Sequence, residues 1–198
     1  MNLLDPILPR FLLAKVFALA LCCITSTNAL SDKSLWSTIK SHQNSIVLMR
    51  NSHLDRSNGS PVHWDDSGNC RGEVLLSKEG EAYALRIGKM FRDHGIQPIV
   101  ISSPMCRCIQ TAKLAFGSGF ITAPALREIA SAGSDRYDQF LEKTNKLLLA
   151  KRGNVPVVFV SHRPNIEALT FELISVTELL LGTIDDGGEI EVFDKYEL

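Results

Sequence analysis

The stretch Val155–Ser161, "VPVVFVS", constrains the fold more than any other part of the chain. A run this short, β-branched and free of charge is a strand buried on both faces. Such a strand needs helices on both sides of the sheet that holds it. Ile46–Met49 ("IVLM") and Pro98–Ser102 ("PIVIS") have the same character. Between these runs the apolar residues change to helical spacing. Ser77 is placed to cap a helix that carries Tyr83, Ile87, Met90 and Phe91 and ends near Gly95. Ser103 and Pro104 form an N-cap and first-turn pair opening a helix through Phe116. Further helices are expected over 32–43, over 135–151 and from Pro164 through Leu173, with helical character continuing toward Leu181. "GGEIEVF" reads as a last strand. Strands alternating with helices predict an α/β sandwich with a mostly parallel central sheet.

The chain has 198 residues, 45% of them apolar, and a formal net charge of -1. That suits one ordinary domain and excludes the basic surplus of a nucleic-acid binder. Residues 1–29 read as a secretory signal peptide: Arg10 and Lys15 precede an apolar run from Val16 to Ile24, and Thr27 and Ala29 stand as the -3 and -1 residues of a cleavage site. An uncleaved anchor through residues 11–24 is the alternative, although the apolar run is shorter than the roughly 20 residues a span needs. A lipoprotein site at Cys22 is disfavoured by the bulky Leu21 before it. The expected partition is therefore 1–29 as leader and 30–198 as domain, with a periplasmic or secreted destination. Of the cysteines beyond the leader, Cys106 and Cys108 are two apart near a helix start and do not face each other, so a bridge from Cys70 to one of them is expected. No His or Cys pair has the spacing of a metal site, and no cofactor is implied.

The three apolar strands end alike. The first yields Arg50 and Asn51, the second Ser102, Ser103 and then Arg107, the third Ser161, His162 and Arg163. Ligands of open α/β sheets bind outside the carboxyl ends of the strands, so these groups should converge. Two arginines, a histidine and the N-terminus of a helix make a cradle for a phosphate group. The polar segment from Asn51 to Gly72 is a long loop, and loops of that length tend to be functional.

"VLMRN", "ISSPMCRCIQTA" and "VVFVSHRPNI" closely resemble the histidine phosphatase superfamily. Its marks are Arg-His after the first strand, Ser-Ser-Pro-x-x-Arg-x-x-x-Thr-Ala after the second, and a second His after a later strand. The resemblance runs from about Ile46 to Phe193, and "WDDSGNCRGEVLLSKEG" is similar to a branch of small bacterial members. It implies a three-layer α/β/α sandwich, phosphoglycerate-mutase-like, and chemistry in which an imidazole attacks phosphorus to give a phosphohistidine that water hydrolyses. It also implies that Arg50, Arg107 and His162 hold phosphate oxygens, that Glu128 in "LREIA" protonates the leaving oxygen, and that the ligand is a phosphomonoester or phosphate. One position departs from the pattern. Asn51 stands where the resemblance puts the nucleophilic histidine, and a carboxamide has no basic nitrogen lone pair to accept a phosphoryl group. The expectation is a phosphate-binding domain with lost or strongly reduced hydrolysis. The alternative is an active phosphomonoesterase that uses His53 or a positioned water.

Overall fold

The structure is a computed structural model that describes residues 35–130 and 133–198. The expected leader over 1–29 and the anchor reading of 11–24 lie outside the described residues. The chain divides into two compact units, 1–37 and 38–198, and the second carries the fold. Of the helix expected over 32–43, residues 35–41 are helical.

Six strands form one sheet in the order β3-β2-β4-β1-β5-β6. They are β1 (Ser45–Arg50), β2 (Ile99–Ser102), β3 (Ile121–Thr122), β4 (Val157–Ser161), β5 (Glu178–Ile184) and β6 (Ile190–Glu197). β3, β2, β4 and β1 run parallel, β5 runs against β1, and β6 returns against β5. Four longer helices connect or follow them: α1 (Lys78–Asp93), α2 (Cys106–Phe116), α3 (Ser134–Lys151) and α4 (Arg163–Thr170).

"VPVVFVS" lies at the heart of this sheet. β4 pairs with β2 on one side and β1 on the other, and every residue of it is buried. Side chains alternate across the strands. Ile46, Leu48, Ile101, Val157, Phe159 and Leu180 therefore share one face, where they pack with Phe140 and Leu148 of α3 and Ile166 of α4. Val47, Met49, Val100, Val158 and Val160 project to the opposite face, where α2 lies against β2 and β4 and α1 packs on α2. Those two helices come close because residue 88 is glycine: a Cβ there would stand 2.0 Å from the Ala115 carbonyl oxygen. The layers are thus α/β/α, as the resemblance implies.

Three local expectations need correction. The helical character expected toward Leu181 is instead β5, in which Leu179, Leu180 and Leu181 are buried and pair with β1. Leucine and glutamate favour helices only weakly, and the unpaired edge of β1 outweighs that preference. β3 was not expected, since two residues carry no periodicity. Finally, α2 begins at Cys106, with Met105 rather than Ser103 at the cap position and no side-chain bond from it. The first amide of α2 is bound by a residue far away in sequence: Cys106 N–H donates to Glu73 Oε2 at 2.8 Å. By contrast Ser77 caps α1 as expected, its hydroxyl accepting from Gly80 N–H at 3.1 Å.

Candidate active site

The sheet register brings the three strand ends to one level. Ser102 of β2 pairs with Val160 of β4, and Ser161 pairs with Arg50 of β1. The chain continues this pairing past both strands, since Asn51 N–H donates to Ser161 O at 2.9 Å and Ser103 N–H to Val160 O at 3.0 Å. Asn51 and His162 therefore leave adjacent strands side by side.

His162 is buried and held on two sides. Arg107 Nε–H donates to its Nδ1 at 3.2 Å, and its Nε2 lies 2.7 Å from Ser103 Oγ. An arginine can only donate, so Nδ1 carries the lone pair and the ring proton sits on Nε2, pointing at Ser103. Arg107 is buried as well. Its Nη2 donates to Glu128 Oε2 at 2.8 Å, an ion pair shielded from solvent on the arginine side. Glu128 reaches this place because Asn165 clamps its loop from within. The Asn165 amide donates to Leu126 O at 3.3 Å and Arg127 O at 3.0 Å, while its oxygen accepts from Ile129 N–H at 3.1 Å. Arg136 Nη1 adds a bond to the Glu128 carbonyl oxygen at 2.7 Å.

Arg50 is half-buried and donates from Nη1 to Ile174 O at 3.3 Å. Two cationic donors, Arg50 Nε and Arg107 Nη1, are buried without a hydrogen-bond partner among the described residues. Leaving a buried charged donor unmet costs a few kcal/mol, on the order of 1–3 per group, unless an anion meets it. Asn51 is buried, and its amide nitrogen is committed to Ser52 O at 3.0 Å. Ser52 is tied to α2 in turn: its N–H donates to Thr111 Oγ1 at 3.0 Å, and Thr111 donates to Arg107 O at 2.8 Å.

Residues 62–133 match the family model of the histidine phosphatase superfamily (branch 1). Solved structures with the same fold include the protein histidine phosphatase SixA complexed with tungstate, at 15% identity and a TM-score of 0.52, covering 77% of this chain and 96% of that one. Mycobacterial hydrolase 1 aligns at 17% identity and a TM-score of 0.53, covering 77% of this chain and 96% of its own. The phosphoserine phosphatase of Entamoeba histolytica, in complex with 3-phosphoglyceric acid, aligns at 16% identity and a TM-score of 0.50, over 78% and 97%. No curated protein sequence matches the chain.

Residues 62–133 are thus similar to the histidine phosphatase superfamily, and the fold is that of these solved phosphatase structures. Arg50, Asn51, Arg107, Glu128 and His162 lie at one end of the sheet. His53 packs against α1. Its ring packs edge-on against Tyr83, with centroids 5.5 Å apart, and its backbone rests on α1, where a Cβ on Gly80 would stand 2.1 Å from the His53 carbonyl oxygen. Sequence reasoning overlooked two positioning residues, Asn165 and Glu73. Asn165 lay within the quoted third motif; Glu73 had no local signal, because it acts across the fold.

Electrostatics divide the roles that these groups could take. Burial drives the His162 imidazole well below the ordinary 6.5, reinforced by the charges of Arg107 and Arg50, so the ring is neutral. Burial raises the Glu128 carboxyl against the opposing pull of Arg107 and Arg50. Burial also pushes the Cys108 thiol up to about 12, which leaves it inert beside His162 at neutral pH. Two guanidinium groups with open donors, a neutral imidazole and a carboxyl that holds its proton longer than usual can grip an oxyanion and protonate a leaving oxygen. Among the described residues no group of three or more His, Cys, Asp or Glu could hold a metal ion.

The neutral histidine makes stability pH-dependent. Unfolded, His162 takes a proton near 6.5; folded, it resists until well below that value. The unfolded state then binds more protons as pH falls, so stability present at neutral pH is lost on acidification. The loss from this group is up to about 1.4 kcal/mol per pH unit. Urea midpoints at two pH values, either side of the ordinary histidine range, should fall less on acidification for His162→Gln than for the wild type. An equal fall in both would place the proton uptake elsewhere.

Proposed function

We propose that the domain binds a phosphomonoester or phosphate in a cradle of Arg50, Arg107 and His162, and hydrolyses it slowly or not at all because Asn51 occupies the place of the nucleophile. The observation that carries this reading is the pair of buried, unmet guanidinium donors, Arg50 Nε and Arg107 Nη1, at the level of the strand ends. An anion there would take both donors. Binding of tungstate by SixA supports an oxyanion as the occupant of such a fold. Asn51 supports the loss of turnover, since its amide nitrogen donates to Ser52 O and has no lone pair for phosphorus. The edge-on contact of His53 with Tyr83 supports the same reading.

The Cys70–Cys106 disulfide supports an exported location, because such bonds persist in oxidising compartments. Among the described residues no helix is long and apolar enough to cross a membrane.

Calorimetry with orthophosphate or vanadate tests the cradle. Wild type should bind, and Arg50→Gln should weaken binding by about tenfold or more, the value of a charge-assisted contact to an anion. Arg50 suits this test better than Arg107, whose loss would strand the Glu128 carboxylate and endanger folding. Wild type that ignores both anions would refute the cradle.

A further inference from the structure

The chain leaves α4 through Phe171, whose backbone is left-handed (φ 58°) and whose side chain is 94% exposed. Helices that end in this conformation usually do so on glycine or asparagine, because a bulky side chain crowds its own backbone there. The ring therefore contributes next to nothing to the core and is held in a strained position. Two residues on, Leu173 is 64% exposed. Two large apolar side chains thus stand out from one short loop.

The loop that carries them is fixed. Lys195 Nζ donates to Leu173 O at 2.6 Å and Arg50 Nη1 to Ile174 O, so cations from β6 and β1 hold consecutive carbonyls. Phe171 N–H closes the last turn of α4 on Glu167 O at 2.8 Å. Leu173 borders one cavity with Arg50, Arg163 and Lys195, and Glu172 stands between the two tips in the chain. Arg163 is paired with Glu167, whereas the bond that Lys195 makes is to a neutral carbonyl.

We propose that Phe171 and Leu173 form a prong that enters the headgroup layer of an anionic membrane, with Lys195 beside the lipid phosphates. Two side chains are far less apolar area than a stable protein interface buries. A bilayer needs no matching pockets, and it takes aromatic and aliphatic tips set beside basic residues. The apolar run Val16–Ile24, expected as a leader or an anchor, supports a membrane as the surface within reach. Neither the prong nor its test depends on the phosphate cradle.

The experiment places Phe171→Trp in the full chain and adds vesicles of phosphatidylglycerol brominated on the acyl chains. The introduced indole should be quenched beyond the loss shown by the wild type, whose own Trp36 and Trp64 set the background. In that variant Leu173→Ser should raise the lipid concentration at half-quenching about tenfold, and Lys195→Gln about fivefold. Phe171→Gly should keep an unfolding midpoint at or above that of the wild type, since glycine takes the left-handed backbone without strain. Quenching no greater than in the wild type overturns the proposal, even if the chain sediments with the vesicles through its N-terminal segment, and leaves a protein as the surface that covers the prong. Equal quenching in phosphatidylcholine vesicles with the same acyl chains overturns the choice of an anionic membrane. A midpoint lowered by Phe171→Gly shows that the ring serves the fold, and overturns the proposal too.

Discussion

Asn51→His should raise hydrolysis of a generic phosphomonoester by on the order of 10²-fold or more. The proposed reading requires it. Arg107 and Arg50 have buried donors without a partner among the described residues, and burial raises the affinity of the Glu128 carboxyl for its proton. On that reading, what position 51 lacks is a nucleophile with a basic nitrogen. The substitution puts an imidazole next to His162, on the adjacent strand end, where the Asn51 backbone is already pinned to Ser161 O. In that background His162→Ala should lower the rate again, and an acid-labile phosphoenzyme should become trappable. The decisive comparison is with unmodified protein. Turnover by wild type at ordinary enzyme rates, abolished by His53→Ala, would show that the attack comes from elsewhere.

Breaking the Cys70–Cys106 bridge should cost about 4 kcal/mol of stability, by the chain-entropy relation for a closed loop with a sequence separation of 36. For a domain of this size that is about 10 °C in midpoint temperature. The effect should reach the site, because the bridge and the Glu73 carboxylate hold the same point. Cys106 begins α2, its amide is bound by Glu73, and Arg107 is the next residue. Glu73 in turn accepts from Asp65 N–H at 2.8 Å, which folds the loop back on itself. Cys70→Ser, or reduction of the wild type, should therefore lower both the unfolding midpoint and orthophosphate affinity. An unchanged midpoint in reductant would mean that the loop is held by its other contacts, the bridges Leu54–Leu76 and Ser60–Glu73 among them.

The layers of the fold were legible because burial on both faces leaves a strong local mark. Nothing but a central strand explains "VPVVFVS", and β4 is that strand. The strand-end residues were legible for a related reason: polar groups that interrupt an apolar run at its carboxyl end have one place to go in an α/β sheet. β5 was misread, because Glu and Leu fit a helix as well as a strand until a partner is known. Its pairing with β1 is a contact between residues more than a hundred positions apart, and no local pattern encodes that.

The residue types by themselves determined that a sheet would carry arginine, asparagine and histidine at its carboxyl edge, and that position 51 lacks an imidazole. Only the folded chain decided what surrounds them: which cysteine Cys70 takes, that Glu73 rather than Ser103 binds the start of α2, that Asn165 presents Glu128 to Arg107, and that His53 turns to Tyr83. The physical reason is the range of each effect. Burial and propensity are written into neighbouring residues, while a hydrogen bond or ion pair depends on two groups whose separation in space is set by every strand between them.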